Sequence, residues 1–177
     1  MNHTDDEVEP LSSGSEADAE AAAREIVLRQ LTVRARSRHE LATALAKREV
    51  APEVARRVLD RMEEVGLVDD ATFAEDWVRS RQQRRHLSSR ALQQELRRKG
   101  IDPEQVTEAL EGVEPDDEHA AALALAEKKM RTMSGLEPQV RRRRLAGALV
   151  RRGFSSNLVG RVLDEVEPDQ ESYGSLG

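Results

Sequence analysis

The residues in this chain best equipped to do chemistry with a partner are its arginines. Of 28 basic residues, 24 are Arg and four are Lys. A guanidinium presents a planar fork of donors that matches phosphate and carboxylate oxygens in pairs, and it stacks on flat rings. The arginines gather in two stretches. The first is Arg79, Arg81, Arg84, Arg85, Arg90, Arg97 and Arg98 with Lys99, opposed only by Glu95. The second is Arg141, Arg142, Arg143 and Arg144 followed by Arg151 and Arg152, with no acid inside the span. On a helix the series Arg141, Arg144, Ala148, Arg151 advances by three or four residues, and Arg152 follows, so four guanidinium groups share one broad face. Each stretch is consistent with phosphate contacts or with an acidic protein surface. The plainer reading is a solvated charged face, against which the scarcity of acids speaks. Neither stretch has interleaved aromatic residues, so stacking of bases on rings is not supported. A genome rich in G and C would explain Arg over Lys, but not the clustering.

Nothing else in the sequence points to a reaction. The histidines are His3, His39, His86 and His119, and no two stand at i, i+4. There is no HExxH, no glycine-rich loop leading into a Lys, and no cysteine. Those absences remove the usual zinc, phosphate-loop and thiol chemistries, and no Ser, Thr or Lys has a recognisable partner. No catalytic residue, metal ligand or cofactor site is expected. The acid pairs Asp69-Asp70 and Asp116-Asp117 stand where helices should begin, so helix capping is their expected role.

The net charge of −6 conceals a division. Residues 1–23 carry seven acids and no Lys or Arg, and residues 164–177 carry five acids and again none. The stretch between holds all 28 basic residues against 22 acids, a net of +6. A basic body with acidic ends suits an anionic partner, and the ends could compete for the same surface or only aid solubility. No apolar run approaches the ~20 residues of a membrane span, and the acidic start does not resemble a signal peptide. A cytoplasmic monomer with no membrane contact is expected.

Positioning these groups falls to helices. Aromatic residues make up 2% of the chain, too few for a β-sandwich core, whereas Ala, Leu, Arg, Glu and Gln dominate and favour helix. Residues 1–19 and 167–177 read as disordered acidic tails. Between them the apolar periodicity is helical. A first helix is expected from about Glu20, with Ala22, Ile26, Val27 and Leu31 on its apolar side. Ser37 and Glu40 make a capping box for the next. Pro52 opens a third, which Gly66 ends. The same phrase returns twice, with Ser88, Gly100 and Pro103, then with Pro138, Gly153 and Ser155 or Ser156. A shift of 51 residues superposes Ser37 on Ser88, Leu41 on Leu92, Leu45 on Leu96 and Pro52 on Pro103. A further 53 carries Leu92 to Leu145, Leu96 to Leu149 and Gly100 to Gly153. Caps and breakers recurring with the apolar positions mark an internal repeat. The expected fold is all-α: three tandem three-helix units, over 20–66, 67–114 and 115–166, stacked into an elongated, curved body. Phe73 and Trp77, at i, i+4, are expected inside the core.

Particular phrases carry a family resemblance. They are SRHELATALAKREVAPEVARRVLDRMEEVGLVDDATFAEDWVRSR (37–81), with LxDDxxFAxxWVxSR at its end, and SSRALQQELRRKGIDPEQVTEALE (88–111). The last unit, LAGALVRRGFSSNLVGRVLDE, fits more weakly. Over residues 24–166 the chain resembles the bacterial RecX regulatory proteins. It departs from the pattern at Glu49-Val50, where the other two units have Gly plus an apolar residue. The resemblance implies nine helices and a negative modulator of the RecA recombinase. Such a protein binds in the groove of the RecA–single-stranded DNA filament and limits its growth, strand exchange, ATP hydrolysis and SOS co-protease activity, without being an enzyme. Two other readings stay open from the residues alone: a helix-turn-helix-type DNA-binding regulator, and a helical scaffold for an acidic protein. No helix shows an obvious base-reading arrangement for the former.

Overall fold

The structure is a computed structural model and describes residues 13–167. The outermost parts of both expected tails lie outside that range. Among the described residues there are nine α-helices and no strand. They are α1 (Ser13–Val33), α2 (Arg38–Ala46), α3 (Pro52–Glu64), α4 (Asp70–Arg85), α5 (Ser89–Arg98), α6 (Pro103–Glu111), α7 (Pro115–Met130), α8 (Pro138–Arg151) and α9 (Ser156–Val166). Their packing divides the chain into two compact units, one up to Phe73 and one from Ala74.

In the first unit α1 lies across α2 and α3. Ala23 and Val27 meet Leu41, Leu45, Val58 and Leu59 in one core. In the second, the largest core joins α7, α8 and α9, with Ala122, Leu125, Leu145, Leu149, Val159 and Val162 at its centre. The alanines of α7 allow α9 to approach closely, which offsets the shortage of bulky side chains.

The repeat is visible atom by atom. Ser37 and Ser88 are both fully buried. Each accepts from the backbone N–H three residues on, Glu40 and Ala91, both at 3.2 Å. Leu41, Leu92 and Leu145 occupy equivalent buried positions, as do Leu45, Leu96 and Leu149. Each second helix closes the same way, with a residue in the left-handed region: Glu49 (φ 59°), Gly100 (φ 74°) and Gly153 (φ 87°). The next N–H donates back five residues, Val50 to Leu45, Ile101 to Leu96 and Phe154 to Leu149. So the first unit makes the turn despite lacking glycine there, at the steric cost a β-carbon brings to that conformation.

Four expectations need correction. The helix expected from Glu20 starts at Ser13, so residues 13–19 are not a disordered tail. Their alternating Ala and acid residues favour helix, and Glu16 and Glu20 both bind Arg57 of α3. On α1 it is Ala23, not Ala22, that is buried. Glu167, assigned to the C-terminal tail, caps α9 and binds Arg141. Phe73 is buried as expected, but Trp77 is only partly so and lies under cations at the edge of α4.

The acids at the starts of α4 and α7 do more than cap their own helices. Asp69 caps α4, accepting from the Thr72 N–H (3.0 Å) and hydroxyl (2.7 Å). Asp70 instead reaches back to α2, where it accepts from the Arg38 N–H at 2.8 Å. Downstream, Asp117 accepts from the Glu114 N–H at the start of α7 (3.2 Å), and Glu118 reaches back to the Ser89 N–H at the start of α5 (3.2 Å). A second-helix N-terminus in each of the first two units is thus completed by a carboxylate from the helix that opens the next. Burial pushes the Asp70 carboxyl above its usual range, against the pull of Arg38. Asp70→Ala is expected to cost about 1–2 kcal/mol, the value of a helix cap left empty. Asp70→Asn keeps an acceptor and removes the desolvated charge, so at neutral pH it should match the parent. Urea midpoints of the two variants check this.

Candidate nucleic-acid interface

The arginines differ in what surrounds them. Those of α1–α3 are largely neutralised within the fold. Arg29 pairs with Glu25, Arg34 with Glu40, Arg38 with Asp60 and Glu63, Arg57 with Glu16 and Glu20, and Arg61 with Glu64. Arg56 lies between Glu53 (3.0 Å) and Asp60 (3.3 Å). From α4 onward the balance changes. Among the described residues no carboxylate stands within ion-pair distance of Arg84, Arg85, Arg90, Arg97, Arg98, Arg143, Arg144 or Arg151, and all eight are exposed. Unpaired exposed guanidinium groups keep their full field for an incoming anion.

The other members of the two stretches have internal work. Arg79 pairs with Asp76 at 3.1 Å. The guanidinium of Arg81 lies 3.9 Å from the centre of the Trp77 ring, and the Lys99 ammonium lies 4.3 Å from it. Arg81 Nε and the Trp77 indole N–H both donate to Glu95 Oε2, at 3.0 and 2.8 Å. Cation, ring and carboxylate therefore tie α4 to α5 and hold the two basic helix faces together. Arg141 binds Glu167 and the Leu136 carbonyl, and Arg142 binds Asp164. Asp164 and Glu167, part of the acidic C-terminal stretch, are thus internal partners of α8, while Glu165 lies 3.0 Å from His119 of α7. Arg152 donates to the Arg85 carbonyl.

The α4–α5 turn is docked on the α8–α9 turn. The Ser88 N–H donates to the Arg152 carbonyl at 3.2 Å. A β-carbon on Gly153 would stand 2.4 Å from Ser88 Oγ and 3.2 Å from Ala91 Cβ. Glycine is required there twice over, by its φ of 87° and by this approach. The contact brings the free guanidinium groups at the end of α4 and those of α8 into one packed assembly.

Three family models align to this helical order. RecX, first three-helix domain, matches residues 23–62. RecX, second three-helix domain, matches 69–110, and RecX, third three-helix domain, matches 116–163. The chain belongs to the RecX family. It is 46% identical over 156 residues to the regulatory protein RecX of Thermobifida fusca, covering 88% of this chain and 84% of that one. Against the regulatory protein RecX of Streptomyces coelicolor it is 43% identical over 159 residues, covering 88% and 85%. The crystal structure of RecX from Lactobacillus salivarius superposes with a TM-score of 0.73 at 21% identity, over 85% of this chain and 97% of that one. At that identity the likeness speaks to the fold. No helix among the described residues is long and apolar enough to cross a membrane.

In this RecX chain two residues that the arginine pattern did not single out stand near these cations. Lys129, near the end of α7, lines a groove with Arg143, Arg144 and Arg151. Its signal in the sequence is the Lys128-Lys129 pair that ends an otherwise Ala-rich helix. His86 ends α4 with φ 48°, facing a groove of about 390 Å³ whose other wall is Ala120, Ala121 and Ala124 of α7. Burial, then the charges of Lys128 and Arg152, hold its imidazole below the usual 6.5. The fold therefore favours neutral His86. Stability is expected to fall as the pH drops below about 6.5 and through the depressed folded-state value. His86→Gln should flatten that dependence, as urea midpoints between about pH 7 and about pH 5 will read.

Proposed function

We propose that this chain is a negative regulator of the RecA recombinase, acting by binding rather than by catalysis. It lies against the RecA–single-stranded DNA filament, in its groove, and limits filament growth, strand exchange, ATP hydrolysis and SOS co-protease activity. It acts as a monomer in the cytoplasm, and needs no cofactor. The single observation that carries the reading is the placement of the unpaired guanidinium groups, in the second and third three-helix segments of a RecX-family chain. The exposed contact residues are Arg84, Arg85, Arg90, Arg97, Arg98, Arg143, Arg144 and Arg151. Arg79, Arg81, Lys99, Arg141, Arg142 and Arg152 border the same surface and hold it in shape through their internal partners.

The test is RecA-catalysed strand exchange and single-stranded-DNA-dependent ATPase, with this protein added below the RecA concentration. Both activities should fall well before equimolar ratios, because one bound molecule affects the filament beyond its own contact. No effect on either at any ratio would overturn the reading.

A further inference from the structure

Four cations of the third three-helix segment converge on a glycine. Lys129 of α7 and Arg143, Arg144 and Arg151 of α8 line a groove of about 300 Å³, floored by Gly147, Ala148 and Met133. None of the four has a carboxylate within ion-pair distance among the described residues. Gathering like charges around one groove is unfavourable until an anion enters it.

The glycine is the second observation. Gly147 sits inside α8 with ordinary helical neighbours, where glycine weakens a helix relative to almost any other residue. What it provides is room. A β-carbon there would stand 3.1 Å from Arg151 Nη1, so the guanidinium lies back across the bare backbone. Residues 143, 147 and 151 fall in one i, i+4 row, which sets an arginine on either side of the gap.

We propose that this groove holds the phosphodiester backbone of single-stranded nucleic acid, with the three arginines and Lys129 on its phosphate oxygens and Gly147 beneath them. The inference rests on the reading that the chain acts on a nucleic-acid filament, and deepens it by assigning the strand contact to α7 and α8. Planar guanidinium forks beside a lysine point charge suit phosphate oxygens. Carboxylates on an acidic protein are borne on separate side chains, and a broad exposed patch would serve them better.

The decisive variant is Gly147→Glu in the full chain. Glutamate is a better helix former than glycine, and it would stand four residues from both Arg143 and Arg151. Thermal unfolding should therefore show a midpoint at or above that of the parent. Binding is read by the anisotropy of a fluorescein-labelled oligo-dT across a KCl series, without RecA. The affinity is expected to fall about tenfold or more, and the dependence of log K on log salt to flatten by roughly 1. Arg144→Gln with Arg151→Gln should flatten it by roughly 1.4, two phosphate contacts at ~0.7 each. Arg61→Gln, on α3, serves as the control and should bind as the parent does.

Parent-like affinity and salt slope in Gly147→Glu would overturn the proposal, as would a parent chain that does not bind oligo-dT at low salt. A loss of binding to a poly-glutamate peptide with oligo-dT binding intact would also overturn it, in favour of an acidic protein partner. Failure of the parent to affect RecA, with oligo-dT binding still lost in Gly147→Glu, would sink the regulatory reading and leave the groove standing. Inhibition of RecA together with parent-like oligo-dT binding by Gly147→Glu would do the reverse.

Discussion

Gly153→Ala is expected to lower folding stability by about 3 kcal/mol and the thermal midpoint by roughly 10 °C. Two costs combine. A β-carbon at φ 87° carries the left-handed penalty of about 1–2 kcal/mol. It would also stand 2.4 Å from Ser88 Oγ, in a fully buried position. Ser88 cannot swing aside freely, because its hydroxyl caps α5 by accepting from the Ala91 N–H. Losing that cap costs about 1 kcal/mol more. A double-mutant cycle separates the parts. Ser88→Gly alone should be mild, since glycine is a tolerable cap, and in the Gly153→Ala background it should recover the steric part while leaving the backbone penalty. A loss below about 1 kcal/mol for Gly153→Ala would mean that the two turns are not in this contact.

The second large effect is functional. Arg84→Glu with Arg85→Glu should raise the concentration needed for half-inhibition of RecA ATPase by more than about tenfold, and weaken its salt sensitivity. Both side chains are exposed with no carboxylate opposite, so the change acts on the outward field and not on an internal ion pair. The carbonyl of Arg85 that accepts from Arg152 belongs to the backbone and survives the substitution. Acids at a helix C-terminus oppose the macrodipole, at about 0.5 kcal/mol each, so the thermal midpoint should move only a few degrees. Arg84→Gln with Arg85→Gln avoids even that and should give about half the effect on a logarithmic scale. Unchanged inhibition by both pairs would remove the end of α4 from the contact surface.

The sequence made the repeat legible because its signals are local. A serine three residues before a backbone donor, a proline at a helix start, a glycine after a helix end and leucines four apart all act within one turn or two. The left-handed Glu49 shows the limit of that logic. The leucine at position 45 and the apolar residue at 50 demand the turn, and Glu49 adopts it without the glycine that signals it elsewhere. What could not be read were partnerships over distance. Asp70 and Arg38 are 32 residues apart, Glu118 and Ser89 29 apart, and Arg142 and Asp164 22 apart. Nothing in the local pattern says which acid of Asp69-Asp70 stays with its own helix. For the same reason charge counting alone could not divide the arginine stretches into occupied and available members. The i, i+4 spacing of Trp77 with Phe73 suits a core, yet only Phe73 is buried. The Trp77 indole N–H needs an acceptor, and Glu95, with Arg81 and Lys99 beside it, draws the ring to the surface.

The carboxylates that reach back from α4 and α7 bear on how this chain emerges from a ribosome. When residue 66 has left the exit tunnel, the sequence of the first three helices is complete, yet the start of α2 still waits for Asp70. The second three helices wait in the same way for Glu118. Among the described residues α8 differs: it begins a turn earlier, at Pro138, and draws its partners Asp164 and Glu167 from the end of the helix that follows it within its own segment. The first two nascent segments are therefore each fastened by the opening residues of their successor. A gene fragment cut at an apparent boundary, just after Gly66 or Gly112, would leave a helix end open, while one cut a few residues later would not.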